Sequence, residues 1–198
     1  MPSEQIVAFL VFSVVAAGTP GPANVLIVAT GAKVGVLRGI PCVLGVAVGT
    51  GLLLGSAALG LGALFLKQPS LLWAMKIGGA LWLLWLAWQI ATAPPPAESD
   101  DGTAVGFWTA ALLQWVNPKS WVVGVSAAGT YLNAAATSPL MQAGLLTVLF
   151  IAAAIPACAI WLVFGAAIRR ALQSQTHARL VNAGLGVLLA GSVLFILI

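Results

Sequence analysis

The sequence predicts an all-α integral membrane protein. Its six transmembrane helices are expected to form two inverted three-helix repeats, with helices 1 and 4 broken at proline motifs. Three observations carry that prediction. Hydrophobic residues make up 61% of the 198 and charged residues only 6%, whereas a soluble domain carries roughly 25% charged residues to solvate its surface. The apolar stretches fall into two groups of three, divided by a polar, proline-rich segment. Each group opens on an apolar stretch interrupted by proline. The spans are too apolar and too unbroken for a transmembrane barrel, whose strands alternate in short segments.

The expected organisation is a first repeat over 1–93, a linker over 94–103 and a second repeat over 104–198. The first apolar segment covers 6–30, which at 1.5 Å per residue crosses roughly 30 Å of hydrocarbon. Met1 to Gln5 holds no basic residue and carries Glu4, so this segment is expected to stay as a span rather than act as a cleaved signal. Inside it stands Ala17-Gly18-Thr19-Pro20-Gly21-Pro22-Ala23-Asn24. Proline has no backbone donor and frees the carbonyl four residues back. In hydrocarbon such groups must find protein, water or ligand, so the break is expected to line a cavity.

Lys33 and Arg38 mark the following loop, and the second segment, 39–66, has no charged residue. Gly31, Gly35 and Gly39 are spaced by four, as are Gly45 and Gly49, then Gly51 and Gly55. Such glycines share a face and let another helix approach closely. Gly35, Gly39, Gly45 and Gly49 are therefore read as helix-packing positions, or as a face that slides during transport. Lys67, Gln68 and Pro69 form a turn. The third segment, 70–91, carries Trp73, Trp82, Trp85 and Trp88, some of which are expected at the interfaces as an aromatic belt. Lys76 within it can snorkel outward.

The linker, Pro94 to Gly102, holds three of the four acidic residues. The fourth segment, 104–132, is interrupted at Gln114-Trp115-Val116-Asn117-Pro118-Lys119. Residues 133–139 form an uncharged loop. The fifth segment, 140–168, contains Pro156, and the sixth, 180–198, follows a basic connector with Arg169, Arg170, His177 and Arg179. His177 reads as an ordinary surface histidine. The two halves match in a further detail, a proline beside a cysteine in the helix after the break: Pro41-Cys42 and Pro156-Ala157-Cys158.

Three spans per half force opposite orientations, and interrupted helices in matching positions of two halves point to a transporter's substrate site. The loops after spans one, three and five hold Lys33, Arg38, Arg169, Arg170 and Arg179, against Lys67 and Lys76 for the other side. The positive-inside rule puts the first set in the cytoplasm and both termini outside.

The spacing Pro20-Gly21-Pro22, then Gly35-x3-Gly39-x5-Gly45-x3-Gly49, resembles the signature of the LysE/RhtB family of amino-acid exporters. Asn117-Pro118-Lys119 is similar to that family's second motif. The stretch from Leu83 to Thr92, with Phe107-Trp108 and Ala111 to Asn117, most resembles the cysteine and O-acetylserine exporter branch. The resemblance implies six spans in a bacterial-type cytoplasmic (inner) membrane. It also implies export of small amino acids and coupling to the proton motive force. One departure is Thr50, where many members have an acidic residue just after the last glycine of the motif. No Asp or Glu lies inside any span, which argues against a carboxylate proton relay and against a cationic substrate such as lysine.

The expected substrate-binding set is Thr19, Pro20, Gly21, Pro22, Asn24, Gln114, Asn117, Pro118 and Lys119. Asn117 suits an N-cap and Pro118 the first helical position. Free amides at that helix start favour a carboxylate. Lys119 in the first turn opposes the dipole, and a charge within a span costs at least about 2.5 kcal/mol. Its expected reason is the substrate carboxylate, the alternative being a lysine that snorkels from a shallow break. With no membrane carboxylate available, Lys119 is also the candidate carrier of the coupled proton. The carbonyls of Ala16 and Gly18, with Thr19 and Asn24, can accept from the substrate ammonium. Asn24 and Gln114 can alternatively serve as interhelical hydrogen bonds.

Cys42 and Cys158 admit a different class, a transmembrane dithiol redox carrier, although buried cysteine is ordinarily a small hydrophobe. No catalytic constellation, metal cluster, cofactor motif or nucleic-acid patch is present in the sequence. The expected partners are a small amino acid, protons and the lipid bilayer. The oligomeric state, a homodimer included, is left open.

Overall fold

A computed structural model of the chain describes residues 1–61, 69–92, 105–132, 138–171 and 175–193. The linker over 94–103, the turn at Lys67 and Gln68 and the loop over 133–137 lie outside the described residues. So does the placement of the His177, Arg169 and Arg170 side chains. Among the described residues the chain is all helix, with no strand. The helices are α1 (Ser3–Gly18), α2 (Pro22–Ser56), α3 (Pro69–Ala91), α4 (Phe107–Val116), α5 (Pro118–Tyr131), α6 (Pro139–Ala171) and α7 (Gln175–Ser192). A π-helical turn, Ala57–Leu61, extends α2.

Proline punctuates this order as its chemistry requires. Pro22, Pro69, Pro118 and Pro139 each stand at the first position of a helix, where the missing N–H has no helical partner to lose. Pro20 and Pro22 separate α1 from α2, and Pro118 separates α4 from α5. Both sequence-predicted breaks are thus breaks in the helices.

Helix α2 is not straight. Gly35 has φ 79° and ψ −175°, a left-handed φ that glycine adopts without a Cβ penalty. The chain folds back there. In a straight helix Thr30 and Cys42 would be about 18 Å apart along the axis, yet the Thr30 hydroxyl lies 3.7 Å from the Cys42 sulfur. Gly31 and Gly39 both meet Leu162 of α6. Gly35, grouped by spacing with the packing glycines, makes the reversal. The loop expected around Lys33 and Arg38 is this single residue, flanked by helix on both sides.

The other packing glycines each face a definite neighbour. A Cβ on Gly45 would run into the Phe107 carbonyl and stand 2.8 Å from the Ala110 Cβ; one on Gly49 would be 2.7 Å from the Ala111 Cα. That face carries α4. Gly51 and Gly55 turn to α6, against Ile151 and Thr147. Two glycine faces on one arm therefore hold two helices at close range.

Among the described residues burial gathers into two large apolar cores, beside a small cluster of Ala32 with Ile168 and Val181. One gathers Leu26, Ile27, Cys42, Val43 and Val46 of α2 with Leu83 and Ala87 of α3. Ala110 and Leu113 of α4, Cys158 and Leu162 of α6 and Leu189 of α7 complete it. The other gathers Phe9 of α1, Ala47 and Leu54 of α2, Ala127 of α5, and Leu146, Phe150 and Ala154 of α6. The break after α1 and the break after α4 each divide a helix pair between these two cores. Two stretches among the described residues are long and apolar enough to cross a membrane, Pro22–Leu61 and Pro139–Ile168. The first of them is the stretch that reverses at Gly35.

Candidate substrate site

The two helix breaks meet. The Lys119 ammonium, from the first turn of α5, donates to the Thr19 carbonyl, freed at the end of α1. Its chain passes directly over Gly21: a Cβ there would stand 2.9 Å from the Lys119 Cδ and 3.3 Å from Nζ. Gly21 itself is fully extended, with φ −179° and ψ 179°. Its lack of a side chain therefore serves clearance, not backbone conformation.

Around this crossing lies a cavity of about 370 Å³, including the space at its mouth. Ala16, Ala17, Ala23 and Asn24 line it from the first break. Val46, Ala47 and Thr50 line it from the second arm of α2. Gln114, Asn117, Lys119, Ser120 and Val123 come from the second break, and Phe150, Ala154 and Cys158 from α6. The cavity thus sits between the two cores. Its polar groups come from the breaks and Thr50, and its apolar wall is mostly alanine and valine.

The first break is held by Asn24. Its Nδ2 donates to the Ala17 carbonyl at 3.0 Å and to the Thr19 carbonyl at 2.7 Å. The amide nitrogen is thereby spent, and Oδ1 is the atom left to accept. The Gly18 carbonyl takes the Trp161 indole N–H at 3.2 Å. The Thr19 hydroxyl turns back to Val15 at 2.6 Å. Of the Ala16 and Gly18 carbonyls expected to face a substrate ammonium, Gly18 is therefore occupied by Trp161, and the Thr19 carbonyl beside them is taken by Asn24 and Lys119 together.

The second break is held by Gln114. Its Oε1 accepts from the Ser120 hydroxyl at 2.9 Å, the Thr50 hydroxyl at 3.3 Å and Asn117 Nδ2 at 3.4 Å. Its Nε2 donates to the Ala110 carbonyl at 2.9 Å. Gln114 and Asn117 are 0% and 1% exposed, so these bonds are sheltered from water, and both side chains act as scaffold. Asn117 caps α5 as its sequence position predicts, Oδ1 accepting from the Lys119 backbone N–H at 3.1 Å.

This cap changes where an anion can sit. The amides of α5's first turn were the expected carboxylate site. The Lys119 amide is taken by Asn117 Oδ1 and the Ser120 amide by the Asn117 carbonyl, at 3.0 Å. Helix α2 is the opposite case. Gly21 has no side chain to cap it. The Asn24 and Val25 amides both turn to the Gly21 carbonyl at 3.0 Å, and the Ala23 amide has no acceptor among the described residues. The open helix N-terminus, with its positive dipole end, is that of α2, beside the Lys119 ammonium.

All nine expected substrate-site residues therefore lie at or beside one crossing. Gly39, Gly45 and Gly49 lie in the packing around it, and Gly35 at the reversal. Sequence reasoning missed Ser120 and the wall Phe150, Ala154 and Cys158. Their signal is the i, i+4, i+8 spacing, which puts one stripe of α6 on the cavity. Thr50, read as an absent acid, is a donor to Gln114. Among the described residues no cluster of His, Cys, Asp or Glu can hold a metal.

Two broken helices meeting around a polar cavity, in an apolar all-helical chain, are the architecture of a membrane transport protein. The chain belongs to the LysE type translocator family, whose family model matches residues 14–198. It is similar to the cysteine/O-acetylserine efflux protein of Klebsiella pneumoniae, 34% identical over 141 residues, covering 71% of each chain. It is 33% identical over 127 residues to the protein of that name from Salmonella choleraesuis, covering 63% of this chain and 64% of that one. The Escherichia coli K12 protein of that name is 29% identical over 124 residues, covering 63% of this chain and 64% of that one. The Salmonella match thus spans about 64% of the relative's length. No solved structure matches this chain.

Proposed function

We propose that this protein exports small neutral amino acids across a bacterial-type cytoplasmic membrane, driven by the proton motive force. The observation that carries the reading is the crossing of the two breaks over a cavity that joins a cation, an open helix N-terminus and uncharged acceptors. A substrate carboxylate fits between the Lys119 ammonium and the free Ala23 amide. Its ammonium then meets the Thr19 carbonyl that Lys119 releases, and the neighbouring uncharged acceptors are Asn24 Oδ1 and the hydroxyl oxygens of Thr50 and Ser120, whose own protons already point to Gln114. Among the described residues no carboxylate lines the cavity, so a second positive charge on the substrate has no counter-ion there. Phe150 and the alanines limit the side chain to a small one. Cysteine, O-acetylserine, homoserine and threonine have that chemistry, and the first two are named for the relatives above.

The proposed architecture is six spans in two inverted repeats. In it, α1 with the first arm of α2, and α4 with α5, form the two interrupted spans that cross at the site. The test is efflux from proteoliposomes loaded with a panel of amino acids, with and without a pH gradient. Gradient-dependent efflux of small neutral amino acids is expected; none for any amino acid refutes the proposal.

A redox carrier built on Cys42 and Cys158 finds less support. Both thiols are free and buried in the same core, but only Cys158 lines the cavity, and Cys42 is closed off beneath Thr30. Replacing both with alanine is expected to leave efflux within about twofold of the parent, a surface-like effect on the energy scale.

A further inference from the structure

We infer that Lys119 is a built-in competitor for the substrate ammonium, and that Gly21 is the residue that admits it. Together they would make the site select molecules carrying both a carboxylate and an ammonium. The inference rests on the proposed export of amino acids and deepens it.

Three observations support it. The Lys119 ammonium donates to the Thr19 carbonyl, a primary ammonium on the acceptor that a helix break makes available. Asn24 Nδ2 shares that carbonyl at 2.7 Å, so the acceptor is held in place and satisfied without ligand. Gly21 has extended backbone that any residue adopts, yet a Cβ there would stand 2.9 Å from the Lys119 Cδ. The three atoms nearest to such a Cβ all belong to the Lys119 chain, so a side chain there displaces the lysine.

The consequence is an ordered exchange. The structure is bolted: a cation on one broken helix grips a carbonyl on the other. A lone amine entering the cavity must displace an ammonium from its acceptor and offers nothing in return. A lone carboxylate draws Lys119 away and leaves the carbonyl one donor short. An amino acid does both: its carboxylate takes Lys119 and the adjacent Ala23 amide, and its ammonium takes the acceptor that Lys119 vacates. The differential contact that shifts the two breaks apart is then supplied only by the zwitterion.

Cys158 reports on the bolt without transport, because it lines the cavity with Lys119 while only 1% exposed. In purified full-length protein carrying Cys42→Ala, the rate of Cys158 alkylation by a small neutral maleimide is measured. Additions are O-acetylserine, ethanolamine or acetate. Labelling is expected to change roughly tenfold with the amino acid, which both releases the bolt and occupies the cavity, and not with the amine or the acid, a factor matching one hydrogen bond to a charged group. In Gly21→Ala and in Lys119→Met, labelling is expected to be fast without any addition. Equal labelling in the parent and both variants, with and without amino acid, overturns the inference. So does a response to ethanolamine equal to that to O-acetylserine.

Competition against efflux in proteoliposomes supplies the second arm. In the parent, ethanolamine is expected to inhibit efflux at least about tenfold less well than O-acetylserine does, on the same reasoning. Inhibition by ethanolamine equal to that by O-acetylserine refutes the bolt and leaves the export reading standing. Absence of efflux in the parent, with the labelling pattern as expected, refutes export and leaves an amino-acid-gated bolt.

Discussion

Lys119→Met removes one charge at nearly constant length, and the geometry gives that change two readouts. The ammonium is one of two donors on the Thr19 carbonyl, and it is the cation beside the uncapped start of α2. Loss of the charge is expected to abolish amino-acid efflux while the protein still folds and inserts, because Asn24 continues to hold Thr19. Lys119→Arg keeps the charge but has a planar, bulkier head that stays protonated, so binding is expected to survive better than proton-coupled efflux. Efflux normalised to the amount of protein in the membrane checks both; parental efflux by Lys119→Met would remove the lysine from the mechanism. Gln114→Leu tests the scaffold instead. It leaves the Thr50, Asn117 and Ser120 donors without their shared acceptor, each costing about 1–3 kcal/mol if unsatisfied. The expected result is a clearly lowered melting temperature in detergent, which Lys119→Met does not share. At this scale the sequence is legible where a residue breaks a local rule. A lysine in the first turn of a helix within an apolar stretch and prolines inside apolar runs both fall at the crossing of the two breaks. Donor directions are not legible: that Asn117 caps α5 while Gly21 leaves α2 open emerges only once the side chains have positions.

At the scale of elements, the second arm of α2 is the scaffold's spine. Its glycines at 45 and 49 receive α4, and those at 51 and 55 receive α6, so the arm holds both the second break and the apolar wall against the first break. Gly49→Val places a branched side chain against the Ala111 backbone, where no flexible group can yield. Overpacking of this kind costs about 1–3 kcal/mol, and the displaced α4 carries Gln114 with it. Reduced thermal stability together with reduced efflux is expected. Gly144→Ala, on the partner helix α6 with open space at its Cβ, is the control and is expected to change neither. A variant at Gly49 as stable and active as the parent would show that α4 needs no close approach there. The fourfold spacing announced these contacts, since period four keeps residues on one face. It did not announce Gly35, because a glycine at a reversal and a glycine at a crossing leave the same letter; the φ of 79° separates them.

On the scale of the whole molecule, the cavity divides one apolar core from the other, and each core is built from one side of both breaks. An exporter that alternates access must open one such core while the other stays closed, so the two cores are the expected gates. Phe9, Phe12 and Tyr131 pack their rings together at the α1 end, with the Phe9 and Tyr131 centroids 5.0 Å apart. Trp161 ties α6 to the end of α1 from the direction of the other core. Which core faces the cytoplasm follows from charge. Lys33 and Arg38 flank the Gly35 reversal and are exposed, and positive residues are retained inside. The reversal, and with it the first core, is therefore expected at the cytoplasmic face, and the α1 start at the outer face. Three spans per half then require that a reporter fused after Ile198 is outside and one inserted in the linker over 94–103 is inside. Phosphatase and fluorescent-protein fusions at these two points separate the outcomes, since the first is active only outside and the second only inside. Both reporters on one side would rule out three spans per half, and with it the proposed inverted repeat, in which the Pro20 and Pro118 breaks meet from opposite directions.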